Sequence, residues 1–108
     1  MISEATFRGR ARSISFGTNT NVLYGYRWIV ATATAGSLSL TVGDARNLRV
    51  GCPVLCIFNN GANAFAIKDN AGGTIVASLA AGSCAFLDLL SNTTQAGVWI
   101  SNSVAKLT

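Results

Sequence analysis

The sequence predicts an all-β domain, a jelly-roll-like or Greek-key β-sandwich of about eight strands. Turn residues recur roughly every eight to twelve residues, which is typical of sandwiches and barrels. The runs between them are apolar or alternate apolar with polar, and none has the periodicity of a long helix. The 108 residues, half of them hydrophobic, can form one domain with a real core. Residues 17–108 make the predicted sandwich, and residues 1–16 an N-terminal arm or edge strand.

The strands are predicted in chain order from alternation and from β-branched and aromatic content. Residues 5–16 open the chain, and residues 26–34 are β-branched and aromatic, as strands are. Residues 37–42 alternate most clearly, with leucine and valine on one face and serine and threonine on the other. The later strands are predicted at 54–59, 64–69, 74–79, 83–90 and 98–107.

Glycine, asparagine and aspartate mark the predicted turns between these strands. Residues 17–21 form a polar loop, and residues 43–48 are predicted as one short helical or 3₁₀ turn. Asp44 is placed to cap the free N–H groups of that turn. Asn60 with Gly61 has the composition of a hairpin turn, as has the glycine pair at 72–73.

The chain is poor in charge. Only 11% of its residues are charged, whereas about a quarter are charged in ordinary soluble domains. We interpret this neutral surface as one that other subunits cover; the alternative is the serine- and threonine-rich surface of a solitary β domain. Eight basic residues against four acidic ones give a net charge of +4, too diffuse to indicate nucleic-acid binding.

Membrane and export signals are not found in the sequence. It contains no apolar run long enough to cross a bilayer, so no membrane association is expected. The first residues lack the basic and apolar regions of a secretory signal. We therefore expect synthesis and assembly in a cytoplasm.

Catalysis is not expected from this sequence. Histidine, the commonest base for serine and cysteine nucleophiles, is absent. The four carboxylates form no motif with one another; they belong to Glu4, Asp44, Asp69 and Asp88. Asp88 lies within an apolar strand and needs an arginine or backbone N–H partner if it points inward, or else it lies at an interface or the surface. We predict no catalytic residue and no cofactor.

The three cysteines are Cys52, Cys56 and Cys84. An odd number argues against a closed disulfide framework. On one extended strand the first two would be about 13 Å apart, too far for a disulfide. A zinc site would need a fourth ligand and has no histidine to supply it, so no metal is predicted. The cysteines are therefore interpreted as small buried apolar residues, with an intersubunit disulfide as the alternative.

Arg8, Arg10 and Arg12 line one side of the chain if the N-terminal segment is extended. Guanidinium groups suit carboxylates and phosphates on a partner. We hypothesise that this segment is an arm that docks on an acidic face of a neighbouring subunit. The alternatives are an edge strand whose charges prevent aggregation, and contact with nucleic-acid phosphates.

Tyr24, Tyr26 and Trp28 share a face if their segment is extended, with Arg27 between them. Tyrosine, tryptophan and arginine are enriched at binding hot spots. Three interpretations remain open for this cluster: packing in the core, contact with another subunit, and a platform for a glycan.

Residues 54–100 follow a pattern of apolar strands, asparagine and glycine turns, and a final glycine and tryptophan. They read VLCIFNNGANAFAIKDNAGGTIVASLAAGSCAFLDLLSNTTQAGVWI, and the preceding residues read VGDARNLRVG. This pattern resembles small β modules of tailed-bacteriophage virion structural proteins, such as capsid decoration or cement proteins and tail-fibre domains.

The resemblance implies a non-catalytic virion structural protein. The sequence has no fibre shaft and no triple-stranded repeat, which favours a capsid decoration or cement protein that stabilises the shell through subunit contacts. The alternative is a tail-associated receptor- or glycan-binding module. The implied partners are the major capsid protein or another virion subunit, and further copies of this chain in a homo-oligomer. The implied location is the virion, assembled in the host cytoplasm.

Overall fold

The computed structural model describes residues 11–21, 28–50 and 53–105. Within these residues the chain forms nine strands in two sheets. The five-stranded sheet has the order β1 (Ala11–Phe16), β3 (Trp28–Ala33), β5 (Pro53–Asn59), β8 (Ser83–Ser91) and β9 (Val98–Ala105). The four-stranded sheet has the order β2 (Thr20–Asn21), β4 (Leu38–Thr41), β6 (Phe65–Lys68) and β7 (Thr74–Leu79).

The predicted all-β, sandwich-like fold is confirmed. The additional strand is β2, a two-residue pairing inside the predicted polar loop. Two residues are too few to show the alternation on which strand prediction depends. No helix in the described part of the chain is long and apolar enough to cross a membrane.

The first six strands are placed in the two sheets alternately. β1, β3 and β5 pair in parallel in one sheet, and β2, β4 and β6 pair in parallel in the other. Each connection among them therefore crosses from one sheet to the facing sheet. The remaining pairs, β5–β8, β8–β9 and β6–β7, are antiparallel.

This topology corrects one turn prediction and agrees with another. Asn60 and Gly61 do not close a hairpin, because they connect β5 to β6 across the two sheets. The turn that contains Gly72 and Gly73 does close a hairpin, since it joins the antiparallel strands β6 and β7. The same residue types serve both purposes, because asparagine and glycine favour a turn whichever strand follows it.

The hydrophobic core lies between the sheets, where alternate side chains of both sheets meet. Phe16 and Phe65 contact edge to face in this core, with ring centroids 5.4 Å apart. Its largest fully buried apolar side chains are Phe65, Ile29, Leu40, Ile57, Ile67, Leu79, Leu87, Leu89 and Val42. Because strand side chains alternate, the residues between them point away from the core.

Asn59, the last residue of β5, is a fully buried polar side chain. Its Nδ2 donates to the carbonyl oxygens of Asn63 and Leu79, each at 2.9 Å. Its Oδ1 accepts from the backbone N–H of Gly61 at 3.0 Å. The backbone carbonyl of Asn59 accepts from the N–H of Gly82 at 2.9 Å. This asparagine therefore ties the end of β5 to the following loop and to the end of β7.

The predicted 3₁₀ turn is present at Ala45–Asn47, and Asp44 caps it. Asp44 Oδ1 accepts from the backbone N–H of Arg46 at 3.0 Å. The guanidinium of Arg46 also donates to both carboxylate oxygens of Asp44, at 3.0 and 2.6 Å. These hydrogen bonds, the side-chain ones foremost, hold the pKa of Asp44 below its ordinary value. The turn connects β4 to β5.

A candidate protein-binding face

The five-stranded sheet has an apolar surface on the side opposite the core, which we call the outer face. Side chains of residues paired in register lie on the same face of a sheet. The register places Trp28 beside Cys56 and Cys56 beside Phe86, and these alternate with core residues. The apolar residues of the outer face are Trp28, Val30, Cys56, Phe58, Cys84, Phe86, Val98, Ile100 and Val104.

Several of these side chains are well exposed. Trp28 is 41% exposed, and Val98, Ile100 and Val104 are 54%, 51% and 48% exposed. Single exposed apolar residues are common on proteins, but these form one surface together with the half-buried Phe86 and its neighbours. At the usual strand spacing and rise the outer face covers roughly 500 Å². Patches of that size on a monomer are often functional.

The outer face carries almost no charge. Asp88 is the single charged residue in the sequences of β3, β5, β8 and β9. The register places it between Pro53 and Ile100, on the outer face rather than in the core. Its Oδ1 is buried and accepts no hydrogen bond from any residue that the structure describes. A buried carboxylate oxygen without a donor is unfavourable, so Asp88 carries this cost within the chain itself, while the residue as a whole is only half-buried.

The predicted aromatic cluster is described only in part. Trp28 lies on the outer face at the start of β3. Tyr24 and Tyr26 are outside the described residues, so their place relative to Trp28 stays a prediction.

The predicted arginine row is also described only in part. Arg12 lies on β1, in register with the buried Ile29, and so belongs to the core side of an edge strand. Arg8 and Arg10 are outside the described residues. Docking of the N-terminal arm on a neighbouring subunit therefore stays a prediction.

Two of the three cysteines lie on the outer face. Cys56 on β5 is opposite Phe86, and Cys84 on β8 is opposite Phe58, so the cysteines are diagonal neighbours. Both are thiols in this structure, and Cys52 is outside the described residues. Burial raises the pKa of the Cys84 thiol. A thiol with a raised pKa forms less of the reactive thiolate at neutral pH.

Cys84 is expected to be alkylated several-fold more slowly in the folded chain than in the unfolded chain. The thiolate is the reacting species, and burial disfavours it by raising the pKa of Cys84. The measurement is the rate of iodoacetamide modification at pH 8 in a Cys52→Ser, Cys56→Ser variant, in buffer and in urea. Equal rates in the two solvents would contradict this expectation.

The outer side of the four-stranded sheet has a different character. A shallow groove of about 400 Å³ lies there, lined mainly by small or polar residues such as Ser39, Ala77 and Lys68. Asn19 also lines the groove, and its Oδ1 accepts from the N–H of Ser39 at 3.0 Å. The aromatic residue in the lining, Phe65, is only 2% exposed. This groove offers no exposed ring on which a sugar could stack.

Comparison of the chain with protein-family models, with curated protein sequences and with solved structures finds no match. The resemblance to phage virion modules thus remains an expectation from the sequence. Among the described residues, no group of three or more histidine, cysteine, aspartate or glutamate side chains could hold a metal ion. The outer face is the described surface whose chemistry points most directly to a partner.

Proposed function

We propose that this chain is a non-catalytic structural subunit that binds an assembled protein shell and stabilises it, as capsid decoration or cement proteins do. The outer face is its contact surface in this proposal. The observation that carries it is a broad apolar sheet face, exposed at Trp28, Val98, Ile100 and Val104, with one charged residue. Charge-poor, aromatic-containing surfaces are typical of the centres of protein interfaces.

The size of the outer face sets the strength expected of one contact. Burying roughly 500 Å² of apolar surface contributes about 12 kcal/mol before the costs of association are subtracted. Those costs are of similar magnitude, about 4–15 kcal/mol, so one copy binds modestly. Many copies on a symmetric shell would together stabilise it strongly, because each links neighbouring subunits.

Asp88 gives the contact its specificity in this proposal. Its Oδ1 is already enclosed within the chain, but the residue is only half-buried, so a partner that covers the outer face would also desolvate the rest of the carboxylate. Desolvating a carboxylate without supplying a donor is unfavourable. The matching shell surface therefore presents an arginine, a lysine or a backbone N–H group within an apolar patch.

The second candidate function is a tail-associated receptor- or glycan-binding module. The observation that favours it is Trp28, an aromatic residue that is 41% exposed on the outer face. Aromatic rings of this kind can support a sugar ring.

Trp28→Lys is expected to remove the chain from assembled particles while leaving it folded. A lysine on this face would have to lose its hydration when the contact forms, and it would replace the largest exposed apolar side chain that the structure describes. The measurement is the number of copies that remain on particles isolated from the chain's own source by density-gradient sedimentation. The wild-type chain is expected in fixed copy number, and the variant at least about tenfold below it.

Ala77→Lys is the matched control, because Ala77 is exposed on the four-stranded sheet. It adds the same charge on the opposite side of the molecule and should remain on particles at the wild-type copy number. The proposal is overturned if the wild-type chain is absent from particles, or if both variants bind equally well. Glycan-array binding that requires Trp28, without particle binding, would favour the receptor-binding module.

A further inference from the structure

The sandwich has four edge strands among those described, and three of them are protected against pairing with another chain. β2 has only two residues, β1 carries Arg12, and the pairing of β7 with β6 is interrupted by two register shifts. Short strands, charges and bulges are the usual means by which proteins block edge-to-edge association.

The fourth edge, β9, has none of these protections along most of its length. Its eight residues, VWISNSVA, include no charge, proline or glycine. The single register shift against β8 lies at its first residue, Val98. β9 is also held in place from the core side, because Ser101 Oγ donates to the carbonyl of Ile75 at 3.5 Å and Trp99 packs against the core. It therefore presents a regular row of backbone donors and acceptors on its outer edge.

We propose that β9 pairs antiparallel with β9 of a second copy of this chain. A strand paired with itself about a two-fold axis is self-complementary, so one surface satisfies both partners. When the axis is perpendicular to the sheet, the two five-stranded sheets join into one sheet of ten strands. The choice of a second copy rests on this self-complementarity and on the contrast with the three protected edges.

The pairing would place two outer faces side by side on the same side of the joined sheet. Val98, Ile100 and Val104 of each copy would then lie at the centre of a continuous apolar surface twice as wide. The use of that surface for shell binding rests on the function proposed above, whereas the pairing of β9 does not. The two can therefore be tested separately.

Asn102→Lys is expected to weaken dimer formation by at least about tenfold. Two registers pair most of β9 and keep the two outer faces on the same side of the joined sheet. In one of them Asn102 lies opposite Asn102 of the other copy, and in the second it lies opposite Ile100. Two lysines would then be direct or diagonal neighbours and would repel one another. The measurement is sedimentation velocity across a wide concentration series, in which wild type should reach twice the 11.2 kDa mass of the chain.

Mixing Asn102→Lys with Asn102→Glu is expected to restore the dimer as a heterodimer, which misfolding could not explain. Ser13→Lys is the matched control, because Ser13 is exposed on the opposite edge strand of the same sheet. It should dimerise like the wild-type chain. If Asn102→Lys does not fold, Ser101→Lys provides the same test, because Ser101 is exposed and the same two registers place it opposite Ser103 or opposite itself.

The inference is overturned if the wild-type chain is monomeric throughout the series, if Asn102→Lys dimerises normally, or if Ser13→Lys is the variant that dissociates. A dimer that forms as described but never binds particles would overturn the proposed function and leave the β9 pairing intact. Particle binding by a chain that stays monomeric would overturn the β9 pairing and leave the proposed function intact.

Discussion

Asn59→Ala is expected to lower the free energy of unfolding by about 3–5 kcal/mol. The substitution leaves the carbonyls of Asn63 and Leu79 without the donor they share and the N–H of Gly61 without its acceptor. Each buried polar group left unsatisfied costs about 1–3 kcal/mol, and the lost side-chain volume adds to this. The measurement is the midpoint of urea unfolding followed by circular dichroism.

Asn60→Ala is the matched control, because Asn60 is the next residue along the chain and its side chain is exposed. Its backbone N–H, which donates to the carbonyl of Ala31 at 2.8 Å, is unaffected by the substitution. The stability should therefore change by less than about 0.5 kcal/mol. A loss below about 1 kcal/mol for Asn59→Ala would show that the loop rearranges to satisfy its own groups.

Gly97→Ala is expected to cost about 2–4 kcal/mol of stability, for two separate reasons. Gly97 has a φ of +71°, in the left-handed region that residues with a side chain rarely adopt. An added β-carbon would also lie 2.5 Å from Ala45 Cβ and 2.8 Å from Leu89 Cδ1. The 3₁₀ turn or the end of β8 would have to move to admit it. Thermal and urea unfolding of the variant measure the effect.

Two other glycines separate these causes. Gly82 has a φ of +78° with no atom near the position of a β-carbon, so Gly82→Ala should show the backbone cost alone, about 1 kcal/mol. Gly36 has open space around it and no left-handed φ, so Gly36→Ala should change stability by less than about 0.5 kcal/mol or raise it slightly. Equal effects at Gly97 and Gly82 would show that the crowding near Ala45 is relieved without cost.

The strands were predictable because alternation is a local signal. β4 illustrates this: leucine and serine alternate in its sequence, with Leu40 in the core. The choice of partner strands is not local, since a turn such as the one at Asn60 and Gly61 can lead to a neighbouring strand or to the facing sheet. For that reason the parallel pairing of the first six strands was not predicted.

The candidate site was predicted only in general terms. The shortage of charge led to the prediction of a covered surface, which stays a prediction, and we propose the outer face as that surface. The sequence of β5 is apolar on both sides, which is typical of a strand that is covered on both faces. In the structure Leu55 and Ile57 point into the core, whereas Cys56 and Phe58 point to the outer face. The apolar pattern of β5 does not reveal whether its second face is covered by the same chain or by another chain.

The crossing connections between the sheets also affect how the chain reaches its native state. Ala11 pairs with Trp28, and Trp28 pairs with Cys56, so sheet partners are well separated in sequence. Proteins dominated by such distant pairings fold in milliseconds to seconds, far more slowly than helical bundles. During translation, β3 lacks one of its two neighbouring strands until β5 has been synthesised. β5 likewise lacks one of its neighbours until β8 has been synthesised. The nascent polypeptide therefore keeps apolar strands uncovered until β8 has left the ribosome, and during that interval it is most vulnerable to aggregation.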